Sequence, residues 1–170
     1  MSIPLDEVNA LALDDFVERF ADIAEASPWV AREAGKQRPF SSRAGAIAAF
    51  IEVLRGATLE AQMAVICAHP DLAGRAALAG NLGAESAKEQ AGAGLDRLTP
   101  DEFSRFTALN SQYRAAFGMP FIYAVKGADK HRILAAFEDR LTNSPETELA
   151  TALDQVERIM GWRIEARIAD

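Results

Sequence analysis

The chain has 170 residues, of which 49% are hydrophobic, and a formal net charge of -7 at pH 7. This length suits one domain, and the hydrophobic content is too high for a disordered chain. The negative charge, without a long run of Lys or Arg, excludes nucleic acid as an expected partner. No apolar run approaches the roughly 20 residues that cross a bilayer, and Cys67 has no second cysteine to pair with. We therefore expect a cytoplasmic protein with no membrane partner.

Helical signals follow one another along the chain. Ser or Thr before Pro marks three helix starts, at Ser27, Thr99 and Ser144. After Thr99, Pro100 stands at the first helical position and Glu102 completes a capping box. Apolar residues within these segments recur at intervals of three or four. The predicted helices cover residues 12–26, 27–34, 42–56, 58–68, 86–98, 99–113, 130–143 and 144–168.

One segment, near residues 118–126, interrupts the helical pattern. Gly118, Pro120 and Gly127 surround the run from Phe121 to Val125. This composition predicts a short extended piece that is too isolated to build a sheet. The sequence as a whole predicts an all-α fold, with about eight helices in a single compact domain over residues 1–170.

His69 follows a predicted helix in the stretch CAHPDLAG. A residue before proline is pushed out of the helical conformation, so His69 and Pro70 form a stiff corner. Asp71 suits a shaped turn, which could present the imidazole for general acid or base catalysis. A satisfied core or surface histidine would explain the same residue. We expect His131, in a charged helix start, to face solvent.

Cys67 lies two residues before His69 and could be a nucleophile, but a free cysteine is usually a small buried hydrophobic residue. Its helix also carries Leu59, Met63 and Ile66, which favours the buried interpretation. A metal site requires several His, Cys or carboxylate ligands within reach of one another. Two distant histidines and one cysteine do not supply them, so we expect no metal.

Two further groups of residues could act on a ligand. Ser86 and Glu89 have the spacing of a capping box, which would be a purely structural role. With Gln90, they also gather a hydroxyl, a carboxylate and an amide at a helix N-terminus, where a ligand can bind. Arg163 stands among apolar residues of the last helix, and an internal arginine needs an anionic partner, such as a substrate carboxylate.

Together these motifs resemble the OHCU decarboxylase family, whose members act on 2-oxo-4-hydroxy-4-carboxy-5-ureidoimidazoline in uric acid breakdown. The resemblance covers nearly the whole chain. It implies an all-helical fold, a homodimer, and decarboxylation to (S)-allantoin without a metal or organic cofactor. The matching stretches, in the family's order and spacing, are SPWVAREA with RPF, HPDLAG, SAKEQAGAGLDRL, NSQYRAAFGMPFIYAVKG and GWRI.

The resemblance also implies a site. Its catalytic residues fall on His69, Glu89 and Arg163. Arg158 and Arg167 lie close to Arg163 in the sequence and are alternatives to it. The implied substrate contacts are Pro70, Ser86, Ala87, Lys88, Glu89, Gln90, Phe121, Ile122, Tyr123, Ala124 and Val125.

Two other functions fit the same residues. A ureide hydrolase would use His69 to activate water. A helical binding module for purine-like metabolites would keep the pocket without turning anything over. Release of CO2 without ammonia would separate decarboxylation from both.

Overall fold

Nine α-helices form the regular structure of residues 2–74 and 80–169, which are the residues that the computed structural model describes. These residues contain no sheet, and a single parallel β-bridge pairs Ile3 with Ile168. The all-α, single-domain fold class is confirmed, and its limits at residues 1 and 170 stay a prediction. The helices are α1 (Leu5–Ala10), α2 (Leu13–Phe20), α3 (Pro28–Gly35), α4 (Arg43–Gly56), α5 (Leu59–Ala68), α6 (Ala84–Gly92), α7 (Pro100–Phe117), α8 (Lys130–Arg140) and α9 (Pro145–Arg167).

The helix bounds differ from the predicted ones at several ends, among them α7, which continues to Phe117, and α8, which ends at Arg140. The short helix α1, which follows Pro4, was not predicted. Helix α2 ends at Phe20, and α6 ends at Gly92, so each is shorter than its apolar pattern indicates. Within the described part of the chain, no helix is both long and apolar enough to cross a membrane.

Chain contacts divide the fold into two compact units, and the first comprises Met1–Ala68 with Val156–Asp170. Its core is aromatic: Phe16 stacks on Phe20 with ring centroids 4.6 Å apart. The guanidinium of Arg38 lies over the Phe16 ring and donates hydrogen bonds to the carbonyls of Val8 and Leu11. Arg38 thereby adds hydrogen bonds to carbonyl groups at the end of α1, where the helix itself supplies few donors.

The second unit comprises His69–Gln155 and contains α6, α7, α8 and the first part of α9. The predicted capping box starts α7, since Thr99 Oγ1 accepts from the Glu102 N–H and Glu102 accepts from the Thr99 N–H. Gly118 ends the helix with φ of 69°, a left-handed conformation that glycine adopts without strain. The chain then runs through the predicted non-helical segment, where Phe121 stacks on Phe137 of α8.

Candidate active site

His69 lies immediately after the last residue of α5, as the His-Pro corner predicts, and it is buried. The buried residues of α5 are Val65 and Ile66. Cys67 is exposed, so the prediction that it is a buried hydrophobic residue is wrong. Leu59, which supported that prediction, is 61% exposed, because its side of the helix does not face the core.

Side chains from two helices hold the turn that follows His69. Gln90 of α6 accepts a hydrogen bond from the Ala73 N–H at 3.0 Å, and its amide lies 3.5 Å from the Asp71 carbonyl. Asn110 of α7 donates to the Leu72 carbonyl at 2.9 Å. Since Gln90 and Asn110 are both buried, these bonds form away from water and fix the backbone of the turn.

The same turn carries an ion pair at its surface. Arg114 of α7 donates to the Asp71 carboxylate, with its Nη2 2.9 Å from Oδ1.

Asn110 also has a carbonyl oxygen, Oδ1, that is buried and has no hydrogen-bond partner among the described residues. The amide group cannot be flipped to use this oxygen, because its nitrogen already serves the Leu72 carbonyl.

Ser86 and Glu89 do not form a capping box. Helix α6 begins at Ala84 with Gly83 as its N-cap residue, and Gly83 makes no side-chain cap. Ser86 therefore lies inside the first turn, where it is buried. Residues three and four positions apart share a helix face, so Ser86 lies on the same side of α6 as Glu89 and Gln90. The capping-box interpretation of Ser86 and Glu89 is wrong, and the hydroxyl, carboxylate and amide remain grouped.

An open cavity of about 600 Å³ borders this helix within the second unit. It is bounded by α6, by the turn after α6 and by the start of α7. Ala87 and Gln90, two of the predicted contacts, line it together with Ala73 of the histidine turn. The side chain of Lys88 is exposed. Of the predicted contacts on α6, Ser86 and Gln90 are buried and Ala87 and Lys88 are exposed, and the buried Gln90 also borders the cavity.

The backbone of the segment from Phe121 to Val125 is tied to two helices. Arg140 of α8 donates from Nη1 to the Ile122 carbonyl at 2.5 Å. Gln155 of α9 accepts from the Ala124 N–H at 2.9 Å. All five residues except Tyr123 are buried. The segment is non-helical and carries no sheet pairing, so these side chains take the place of neighbouring strands.

A buried charge network supports Arg140. Its guanidinium pairs with Glu148, the two groups lying 2.9 Å apart, and stacks over the Phe121 ring. Glu148 also accepts from Tyr113 Oη and from Asn143. Burial alone would raise the pKa of Glu148, but the hydrogen bonds from Arg140, Tyr113 and Asn143 outweigh it and hold this pKa below its usual value. Burial and the bond to Glu148 raise the pKa of Tyr113 well above its ordinary range.

Arg163 belongs to the first unit, where it is buried on α9. Its Nη1 donates to the Glu25 carboxylate at 3.0 Å and to the Asp22 carbonyl at 2.9 Å. The anionic partner expected for an internal arginine is thus supplied, at least in part, by the protein. Arg158 is exposed beside the Trp162 ring, and Arg167 pairs with the Asp22 carboxylate, which lowers the pKa of Asp22.

The predicted site residues belong to both compact units. Gln90 is bonded to the turn after His69, and both lie in the second unit, whereas Arg163 lies in the first. His131 is exposed, as predicted. Over residues 2–74 and 80–169, no group of three His, Cys, Asp or Glu residues is arranged to hold a metal ion. Sequence reasoning missed the supporting residues Asn110, Arg114, Arg140, Glu148 and Gln155.

Comparison with known proteins identifies the relatives of this chain. A sequence profile described as OHCU decarboxylase matches residues 9–165. A Haloferax volcanii protein named 2-oxo-4-hydroxy-4-carboxy-5-ureidoimidazoline decarboxylase is 40% identical over 167 residues, which are 98% of this chain and 97% of its own. A protein of the same name from Halalkalicoccus jeotgali is 39% identical over 163 residues, 96% of this chain and 90% of its own.

One solved structure has a fold similar to that of this chain. The crystal structure of an (S)-allantoin synthase superposes with a TM-score of 0.80 at 27% identity, over 98% of this chain and 54% of that one. The all-α fold and these likenesses define a helical carboxy-lyase. The chain belongs to the OHCU decarboxylase family. The resemblance drawn from the sequence motifs is confirmed.

Proposed function

We propose that the turn at His69 is the catalytic centre of the family's reaction, in which the ureidoimidazoline carboxylate loses CO2 to give (S)-allantoin in uric acid degradation. The reaction is a decarboxylation, so the chain is a carboxy-lyase. One observation carries the assignment to this turn. His69 is buried directly after α5, and the backbone that follows it is held by Gln90 and Asn110.

The chemistry of the substrate supports a role for a single imidazole. Loss of CO2 leaves an electron pair, and most decarboxylases recruit a cofactor to accept it. In this substrate, the ring C=N beside the carboxyl-bearing carbon accepts the pair. The protein then has to orient the substrate and exchange one proton, and we assign the proton exchange to His69.

Glu89 is proposed to bind the ring or ureido N–H groups of the substrate. It stands on the same face of α6 as the buried residues Ser86 and Gln90, and a carboxylate is an acceptor for such donors. Pro70, Ala87 and Lys88 complete the proposed contacts around this helix. The backbone of Phe121, Ile122, Tyr123, Ala124 and Val125 is proposed to supply further hydrogen bonds.

The catalytic role of Arg163 stays a prediction taken from the family resemblance. We propose that its guanidinium orients a carboxylate or carbonyl oxygen of the substrate. The bonds from Nη1 to Glu25 and Asp22 fix the orientation of its planar fork, which suits recognition of a planar oxygen pair.

The homodimer, the cytoplasmic location and the independence of metals and organic cofactors also stay predictions. Dialysis of the enzyme against a chelator should leave the rate unchanged, because the electron sink belongs to the substrate. A loss of activity that added divalent cation restores would contradict the cofactor-free mechanism.

The experiment that tests the function follows freshly generated substrate by ultraviolet absorbance, with and without purified protein. We expect faster decay with the protein, release of CO2 without ammonia, and a circular dichroism signal from (S)-allantoin. The spontaneous reaction should give a racemic product, because a flat intermediate in solution is protonated on either face. Ammonia release would indicate a ureide hydrolase, and binding without turnover would indicate a metabolite-binding module.

A further inference from the structure

The segment from Phe121 to Val125 is held along one edge. The two bonds that anchor it involve alternate residues, the carbonyl of Ile122 and the N–H of Ala124. In an extended chain, the N–H and C=O of one residue point to the same edge, and the next residue points to the opposite edge. Bonds at positions two apart therefore mark the edge that faces Arg140 and Gln155.

In the extended conformation that the sequence predicts for this segment, the backbone groups of Phe121 and Tyr123 point away from these two side chains. Neither backbone makes a hydrogen bond with the described residues. Phe121 is only 1% exposed, so its N–H and C=O are removed from water, and buried backbone groups normally have partners. A bound ligand with N–H and C=O groups, such as a ureido compound, would satisfy them.

Arg140 is suited to fix this edge because it is itself fixed on several sides. Its Nε and Nη2 are held by the carboxylate of Glu148, and its Cζ lies 4.3 Å from the centroid of the Phe121 ring. Nη1 donates the hydrogen bond to the backbone of the segment, at the Ile122 carbonyl. A planar fork held in this way defines both the position and the rotation of the peptide that it contacts.

We propose that Arg140, oriented by Glu148, is a positioning residue that aims the backbone groups of Phe121 and Tyr123 at the substrate. This inference rests on the proposed function, because it assigns the unpaired edge of the segment to that substrate. Arg140 does not touch the reacting atoms. Its effect is to keep one face of the planar intermediate against the segment, so that the proton arrives on the other face and a single enantiomer forms.

The test compares Arg140→Gln with Arg105→Gln. Arg105 forms an exposed ion pair with Glu138 in the same unit, so its replacement removes an arginine without touching the segment. We measure melting, kcat and KM, the enantiomeric excess of allantoin, and hydrogen exchange of a peptide covering residues 119–126. Arg140→Gln should lower kcat by about tenfold to a hundredfold, with a smaller change in KM, because small misplacements of bound groups have costs of this size.

The same variant should shift the product towards the racemate and speed exchange in the 119–126 peptide, whereas Arg105→Gln should change neither. A second pair of variants, at Gln155, tests the proposal if Arg140→Gln fails to fold. Gln155→Leu removes the acceptor for the Ala124 N–H and should reproduce both effects, and Gln155→Glu retains an acceptor and should restore them.

Folded variants that keep the wild-type enantiomeric excess would overturn the proposal, even where exchange is faster, since the segment would then be loosened without effect on the product. Unchanged exchange in Arg140→Gln would overturn it as well. A wild-type chain without decarboxylase activity would contradict the proposed function alone, because the exchange measurement needs no substrate.

Discussion

The turn after His69 and the segment from Phe121 to Val125 are both irregular pieces of backbone held by side chains from helices, but by different means. Neutral amides, Gln90 and Asn110, hold the turn, with an ion pair at its surface. The segment is held by a charge network in which the Glu148 side chain is fully buried. The turn carries the titratable group proposed for catalysis, and the segment offers only backbone. Buried charges thus hold the segment that contributes only backbone geometry, and neutral amides hold the turn that carries the titratable histidine.

This difference predicts unequal losses of stability when the supporting side chains are replaced. Glu148→Gln should have the largest effect. The variant leaves Arg140 buried without its carboxylate, and breaking a buried pair from one side costs about 3–5 kcal/mol of unfolding free energy. Chemical denaturation of the two proteins measures it. Glu138→Gln, which breaks the exposed pair with Arg105, should cost less than about 1 kcal/mol. Equal costs for the two variants would contradict the comparison.

The stability difference should also depend on pH. The pKa of Glu148 is lower in the folded chain than in the unfolded chain, so the carboxylate stabilises the fold above the unfolded value, which is about 4.3. This contribution is lost as pH falls through the folded pKa. The advantage of the wild type over Glu148→Gln should therefore be present near neutral pH and shrink in acid. A stability difference between the wild type and Glu148→Gln that grows in acid would contradict the lowered pKa of Glu148.

His69→Asn should have the next largest effect, and the effect should fall on catalysis. Asparagine cannot exchange the proton, so kcat should fall by at least about a hundredfold, the low end for general acid–base catalysis. Far-ultraviolet circular dichroism and a cooperative melt should stay close to those of the wild type. His131→Asn is the matched control, because His131 is exposed at the start of α8. Near wild-type turnover of His69→Asn would remove this histidine from the mechanism.

Glu89→Gln should lower kcat/KM by about tenfold or more, which corresponds to about 1.4 kcal/mol. Gln keeps the shape but loses the charge, so ureido N–H groups would bind a weaker acceptor. Stability should change little, since Gly83 caps the helix and Glu89 plays no part in the cap. Steady-state kinetics and melting test both points, with Glu85→Gln on the same helix as control. Kinetics like those of the wild type would leave Glu89 without a role in binding.

The smallest effect is expected for Asp71→Asn. This substitution breaks the surface pair with Arg114 but leaves the bonds from Gln90 and Asn110 in place. Exposed ion pairs contribute about 0–1 kcal/mol, and kcat should stay within about threefold of the wild type. A loss as large as that of His69→Asn would mean that the ion pair, and not the two amides, holds the turn.

Local signals in the sequence were sufficient where a feature is built from neighbouring residues. The capping box of Thr99 and Glu102 was predicted correctly, and so was the break at the His-Pro corner. The same three-residue spacing led to a wrong prediction of a capping box at Ser86 and Glu89. Residues three apart also face each other inside a helix, and α6 begins earlier than the apparent cap.

The supports of the site could not be predicted in this way. Asn110 and Arg114 contact the turn from positions 38 and 43 residues further along the chain. Arg140 lies in a helix whose other charged residues are mostly solvated, and nothing in the local sequence distinguishes it. Such contacts depend on how the helices pack. The sequence therefore indicated which groups to propose for the chemistry, but not which groups hold them.

The exposure of Cys67 makes the wild-type chain convenient for spectroscopy. It is the only cysteine in the sequence and lies two residues before His69. A thiol-specific fluorophore would therefore attach at one position, with no engineered residue, two residues before the histidine proposed for catalysis. Its emission would report occupancy of the site in real time, including for non-reactive analogues that give no absorbance change. The same thiol can join two chains during storage, so reducing conditions are needed before oligomeric state is measured.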